Sequence, residues 1–316
     1  MSPAQRLLCK AEGEPIHDND CKPSVISLYC GYSSRGYRHY RAALSGGLFI
    51  PRVSSEQRLF VLDPGDSLRV EGHNGTITIE TWQGDEVVIE VNKEARALFK
   101  GLADWIERES IDWIHDDNGL QVVSRGVWWR LLGGLSVHFH VLVPEDWSGT
   151  VLMHTTNGPI TARNLRADAE LRTSNGAITV RGHSGRLILK SSNGRIEMSD
   201  VDGVVEAETS NGPIHVRNSV LHDWGRIRTS NGQIQLEAEL VHDARYEVRT
   251  SNGRVNVTLI NPDVSLDLST SNGTVNLNAE VTATQFARNR LVGKIGSGTA
   301  RLDVHTSNGS ISLSTW

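Results

Sequence analysis

His138 and His140 stand two residues apart in the apolar run 137–143. On a strand both would project from one face, and a His-x-His pair can begin a metal site. No third ligand falls at a matching spacing, so the pair is kept as a candidate binding pair, and neither a metal nor a cofactor is expected. Asp200, Asp202, Asp223, Asp243 and Asp263 recur further along the chain. Glycoside hydrolysis needs two carboxylates about 5–10 Å apart with one pKa raised. These acids sit instead among turn formers at irregular corners. A carbohydrate-active β-helix enzyme is therefore the alternative reading, and no catalytic residue is assigned. Gly296-Ser297-Gly298 lacks the lysine and helix of a phosphate loop. Tyr29, Tyr32, Tyr37 and Tyr40 interleave with Arg35, Arg38 and Arg41, a pattern that could serve RNA or an acidic partner. A loose N-terminal tail, or translation from upstream of the true start, is the favoured reading of this stretch.

What must position any such residues is a repeat. Asn-Gly recurs at Asn157, Asn175, Asn193, Asn211, Asn231, Asn252, Asn272 and Asn308, at spacings of 18, 18, 18, 20, 21, 20 and 36 residues. Four residues before each Asn lies Met153, Leu171, Leu189, Ala207, Ile227, Val248, Leu268 or Val304. Two before it is always Thr or Ser, and three after it always Ile or Val. Alternation on both sides of the turn is the period of a strand buried on one face. The inward parity changes across the turn, so the corner inserts a kink, which Asn-Gly suits through its tolerance of positive φ. Evenly sized coils with one recurring corner favour parallel stacking in a β-solenoid over a meander of hairpins. The Asn column reads as a structural amide ladder, and the Thr column shares the inward parity.

Residues 62–124 carry the same template once, in Leu68, Val70, Gly72, Asn74, Gly75, Ile77 and Ile79, followed by a Gly84-Asp85 turn and an expected strand over 87–91. Then the pattern breaks. Ala95, Leu98, Leu102, Trp105 and Ile106 fall on one helical face, predicting a helix within 93–110. A hairpin through Asp-Asp-Asn-Gly follows, then a run at 127–132 holding Trp128 and Trp129. The helix and hairpin are expected as an insertion at about 93–135 that caps one end of the stack.

Taken in order, these elements resemble a known family. They are Pro64-Gly65-Asp66-Ser67-Leu68-Arg69-Val70, the turn Gly84-Asp85-Glu86-Val87, the helix with its hairpin, the strand closing at Val143-Pro144, the Ser-Asn-Gly ladder, and Ile295-Gly296-Ser297-Gly298. The chain over 62–316 resembles the bacterial and archaeal "putative adhesin" β-strand-repeat domain of unknown function, the toastrack type. That resemblance implies an all-β, right-handed single-stranded β-helix without catalytic residues, and some members sit near envelope-stress systems.

Bulk properties bound the partners. The net charge is −5. Residues 1–61 hold eight Lys/Arg against five Asp/Glu, a charge of +3 that leaves −8 for the rest. No nucleic acid is expected for the repeat domain. Cys9, Cys21 and Cys30 all precede the repeats, so packing alone must hold the solenoid. No apolar run suits a transmembrane segment or signal-peptide core, which reads as cytoplasmic as written, with envelope association carried by the resemblance. Residues 1–61 are expected as a separate, poorly ordered segment, and 62–316 as the repeat domain. The expected function is a non-catalytic scaffold presenting a surface for protein or glycan binding. The final rung, with Ile311 and Leu313, has no sequence left to cover it. A cap is therefore expected from the 278–294 insertion folding back through Phe286, Leu291 and Val292, from end-to-end self-association with a second copy, or from a partner protein.

Overall fold

In the computed structural model of the protein, residues 29–32, 38–42, 50–99, 101, 103–105, 111–124 and 133–316 are described. Two parallel sheets face each other, and each coil supplies one strand to each sheet. Counted along the stack, rung 1 is Gly119–Ser124 with Gly133–Pro144, and rung 2 is Ser67–Glu71 with Ile77–Trp82. Rung 3 is Thr150–Thr155 with Ile160–Leu165. Asp168–Thr173 opens rung 4; the long strands Ile178–Ser191 and Ile196–Thr209 each span a corner, completing rungs 4 and 5 and opening rung 6. Ile214–Leu221 completes rung 6. Rung 7 is Trp224–Thr229 with Ile234–Leu240, and rung 8 is Arg245–Thr250 with Val255–Leu259. Rung 9 is Ala300–Thr306 with Ile311–Thr315, and rung 10 is Val264–Thr270 with Val275–Asn278. The chain is thus a β-solenoid.

Alternation decides the core. Met153 and Thr155 before the corner, and Ile160 and Ala162 after it, are all buried, and the same columns are buried in the rungs that follow, except at Leu277 of rung 10, which is partly buried. A full rung buries four or five apolar side chains at ~1.5–3 kcal/mol each. Ordering its eighteen or so residues costs about 1–2 kcal/mol per residue. One rung therefore cannot stand alone, and stacking makes the fold.

Stacking order departs from chain order at both ends. Rung 1 is made after rung 2 but lies outside it, since Ser67–Glu71 pairs with both Gly119–Ser124 and Thr150–Thr155. Rung 9 is made last yet lies between rungs 8 and 10. The 36-residue gap between Asn272 and Asn308 records this excursion. The expectation that Ile311 and Leu313 end the stack is therefore corrected: both are buried inside it.

The predicted insertion is also redrawn. Val87–Ala97 is one strand, antiparallel to Gly133–Pro144 on one side and to Ile50–Phe60 on the other. Ile89, Val91, Ala95 and Ala97 point inward, so period two overrides the helical period expected from residue 93. Lys93 hid the alternation: it too points inward, where its Nζ lies 3.5 Å from the Glu56 carboxylate. Helical residues among those described are 101 and 103–105, while Leu102, Ile106 and the run 127–132 lie outside the described residues. The Asp-Asp-Asn-Gly hairpin exists, but its second strand is part of rung 1 rather than an appendage. Ile50–Phe60 lies inside the sheet, so the sheet begins before residue 62, the boundary drawn from the repeat columns. Arg38–Ala42 and Tyr29–Tyr32 pair onward from it.

Candidate functional site

The recurring corner is built from three stacked columns. Innermost is the hydroxyl column. Thr173 Oγ1 donates to the Gly158 carbonyl one rung away (3.0 Å) and accepts the Gly176 backbone N–H of its own corner (3.0 Å). Ser191, Thr209, Thr229, Thr250, Thr270 and Thr306 repeat both bonds. These hydroxyls are buried staples and face no ligand.

The glycines come next. A Cβ on Gly194 would lie 1.6 Å from the Gly176 carbonyl oxygen, and one on Gly212 1.9 Å from that of Gly194. Glycine is required here by the approach of one backbone to the next. The positive φ anticipated for the motif falls elsewhere: Gly75 is the one corner glycine with it, at φ 125°, and no ladder asparagine has it.

Outermost are the amides. Asn157 Nδ2 donates to Asn74 Oδ1 (2.7 Å), Asn175 to Asn157 (2.8 Å), Asn193 to Asn175 (2.8 Å) and Asn211 to Asn193 (2.7 Å). Asn231 donates to Asn211 (2.8 Å), Asn252 to Asn231, Asn308 to Asn252 and Asn272 to Asn308 (each 2.7 Å). The bonds run head to tail in the stacking order, so Asn308 precedes Asn272. All eight asparagines of the recurring corner are solvent-exposed. Each but the terminal Asn272, which only donates, uses one N–H and one lone pair in the ladder, and all keep at least one of each for solvent or a ligand. Ser192, Ser210, Ser230 and Ser251 are exposed beside them. The result is a strip of amides and hydroxyls repeating about every 4.8 Å.

His138 and His140 do share an outward face of rung 1, but their contacts diverge. His138 Nδ1 accepts the Thr76 backbone N–H (3.2 Å) and lies 2.9 Å from Thr76 Oγ1. His140 is held between Glu80 (Nε2 to Oε1, 2.9 Å) and Glu90 (Nδ1 to Oε2, 3.4 Å). The two carboxylates occupy opposite edges of the ring and share no point where an ion could sit. Among the described residues no group of three or more His, Cys, Asp or Glu side chains is placed to hold a metal.

The five aspartates are likewise dispersed. Asp200, Asp223 and Asp243 adopt positive φ as turn residues, and Asp202 pairs with His222 (2.6 Å). Asp263 accepts the Gly298 backbone N–H (2.6 Å), and this bond, with that from the Thr299 hydroxyl, holds its carboxyl below the usual range. That is the wrong direction for a general acid. On the outer face of the first sheet, carboxylates meet guanidiniums from neighbouring rungs: Glu206 lies between Arg186 (2.7 Å) and Arg226 (3.3 Å). Glu247 pairs with Arg228 and Arg249.

One feature escaped the sequence reading. His183 is 4% exposed, inside a column formed by Leu165, Val201 and Ser219, and neither ring nitrogen makes a hydrogen bond. Burial lowers its pKa to about 4, against the opposing pull of the Arg186 backbone and the Asp168 charge. Lone histidines in apolar columns carry no spacing signal, so only the structure could find it.

The sequence profile of the Toastrack DUF4097 family matches residues 141–314, more than half of the chain. The chain belongs to this Toastrack family. Rungs 1 and 2 lie mostly before the matched stretch, yet continue the same stack. No curated protein matches the sequence. Among solved structures, the "putative cell adhesion protein" of Clostridium sporogenes is 10% identical, with 83% of this chain and 100% of that one covered and a TM-score of 0.29. The "putative adhesin" of Bacteroides fragilis is 11% identical (82% and 96% covered, TM-score 0.34). That of Parabacteroides merdae is 10% identical (82% and 95%, TM-score 0.35). No helix among the described residues is long and apolar enough to cross a membrane.

Proposed function

We propose that this Toastrack chain is a non-catalytic scaffold that binds an extended protein or glycan partner along its corner strip, in a role at the cell envelope. The observation that supports this reading is the exposed amide ladder. Nine asparagines, the half-buried Asn74 included, keep at least one N–H and one lone pair outside the ladder at constant spacing, beside a row of serine hydroxyls. A linear polymer of hydroxyl and amide groups laid parallel to the stack could bond at rung after rung without the solenoid moving. Rigidity removes the ordering cost on the protein side. The purely structural reading of the ladder accounts for the amide-to-amide bonds but leaves these outward groups unused.

Affinity electrophoresis through gels containing soluble polysaccharides, alongside sedimentation with purified envelope fractions, tests the proposal. Ser192→Glu/Ser210→Glu/Ser230→Glu should abolish retention while leaving the melting temperature within a few degrees. Arg217→Ala/Gln235→Ala, on the other sheet, should bind as the parent does. No retention by any polysaccharide or envelope fraction, or unchanged retention of the triple variant, would sink the proposal. Release of new reducing ends from a retained glycan would instead favour the carbohydrate-active alternative.

A further inference from the structure

The two sheets end at different heights beyond rung 10. Val264–Thr270 of the first sheet pairs with Arg290–Ile295, which pairs with Thr282–Ala287. In the second sheet Val275–Asn278 pairs, among the described residues, with Ile311–Thr315 alone. The first sheet therefore projects two strands, or about 10 Å, past the second. The hairpin turn is tied back at one point, where the Val275 and Thr270 backbone N–H groups donate to the carbonyls of Arg288 and Asn289 (2.9 Å each). Beyond Val275 this edge meets no further strand among the described residues.

Phe286 shows what the step lacks. It stands opposite Leu291, whose side chain is wholly buried, so both lie on the core-facing side of the hairpin. Phe286 is nevertheless 63% exposed, and Leu277 and Val281 at the same end of the chain's stack pack against the core only partly buried. Sheet edges are usually blunted by lysine, proline or inward charge. Here every residue of Thr282–Ala287 is exposed, and Glu280 is the only charge from 275 to 287.

We propose that this stepped end is an interface with a second copy of the chain, in which each copy's hairpin fills the other's step. A step two strands deep is the height of the two-stranded hairpin that would enter it, so the surface is self-complementary about a two-fold axis. Thr282–Ala287 of one protomer then lies along the open edge of Val275–Asn278 of its partner, and Phe286 covers the exposed end of the partner's core. Four strand edges, joined as two pairs, and two phenylalanines are removed from water together. With only Glu280 charged in this stretch, no row of like charges opposes the pairing. The dimer joins two stacks end to end and leaves both corner strips free. It stands or falls independently of the ligand read for those strips.

Light scattering and sedimentation equilibrium of the full chain, from about 1 µM to about 0.1 mM, provide the test. A reductant keeps Cys9, Cys21 and Cys30 from linking copies. The parent chain should form a dimer. Phe286→Asp and Asn278→Lys, both at exposed side chains, should each weaken it by about tenfold or more. Trp224→Asp, at an exposed position on rung 7, should not. A parent chain that stays monomeric throughout, or a dimer that both end variants leave unchanged, overturns the proposal.

Discussion

The two kinds of corner in this solenoid obey different rules. At the Thr-Ser-Asn-Gly corner each glycine rests on the carbonyl of the glycine beneath, and hydroxyl and amide bond to their equivalents in the next rung. At the opposite corner, the equivalent positions hold Asn164, Gly182, Asp200 and Asn218 in rungs 3 to 6, all at positive φ between 45° and 67°. The pairing then slips between Val216 and Ser219 and the motif disappears. Repetition is strict where backbone meets backbone and loose where only side chains meet, because a side chain can turn aside and a carbonyl cannot.

The strongest way to break this comparison is to add one methyl group at each corner. Gly212→Ala places a Cβ 1.9 Å from the Gly194 carbonyl oxygen and 2.5 Å from its carbon, so two rungs must part. We expect a loss of about 3 kcal/mol or more, at or beyond the upper end of overpacking effects. Gly182→Ala meets the Asn164 side-chain oxygen at 2.6 Å, an atom that can rotate away. Its cost should be ~1–2 kcal/mol, from φ +67° alone. Urea unfolding of both variants gives the ranking, and equal midpoints would refute the backbone rule.

His183 sharpens the same contrast through pH. Its folded pKa of about 4 lies below the ordinary 6.5, so between those values the unfolded chain binds a proton that the folded chain excludes. The stability this group contributes is full above pH 6.5, falls as pH drops toward 4, and is constant below. His183→Leu places an aliphatic group in a column whose other members include Leu165 and Val201. The variant should therefore gain on the parent by up to about 3 kcal/mol between pH 7 and pH 4. His215, also lowered chiefly by burial, titrates in both proteins and cancels in the difference. Parallel stability curves across that range would show that His183 is not held neutral by the fold.

The same split explains what could be read from the sequence. The inward columns and the ladder were legible because the backbone constraint repeats in every rung and so leaves a period. Chain order hid the transposed rungs: strand alternation says which face is buried but not which rung is the neighbour. The spacing of 36 was the one trace of an excursion. Lys93, inward in a strand, broke the alternation and let a helical period through. The fit between the hairpin and the step at rung 10 involves edges, and edges have no signature in side-chain periodicity.

The smallest expected effect concerns the amides, where a ladder bond can be compared with a cross-rung amide contact at the other corner. Asn211→Ala removes two bonds, to Asn193 and from Asn231, and interrupts a head-to-tail series in its middle. Because the strip is exposed, the stranded groups regain water, and the loss should be ~1 kcal/mol rather than that of a buried unsatisfied amide. Asn218→Ala removes one bond, to Asp200 Oδ1 (2.6 Å), but also places alanine at φ 45°. Strain of ~1–2 kcal/mol should make it the costlier change despite the fewer bonds. Asn218→Gly separates the terms by relieving the strain while still losing the bond. If it restores most of the melting temperature, backbone conformation dominates the irregular corner. If Asn218→Gly stays as low as Asn218→Ala, the amide bond matters there as it does in the ladder, and the distinction between the two corners fails at its weakest point.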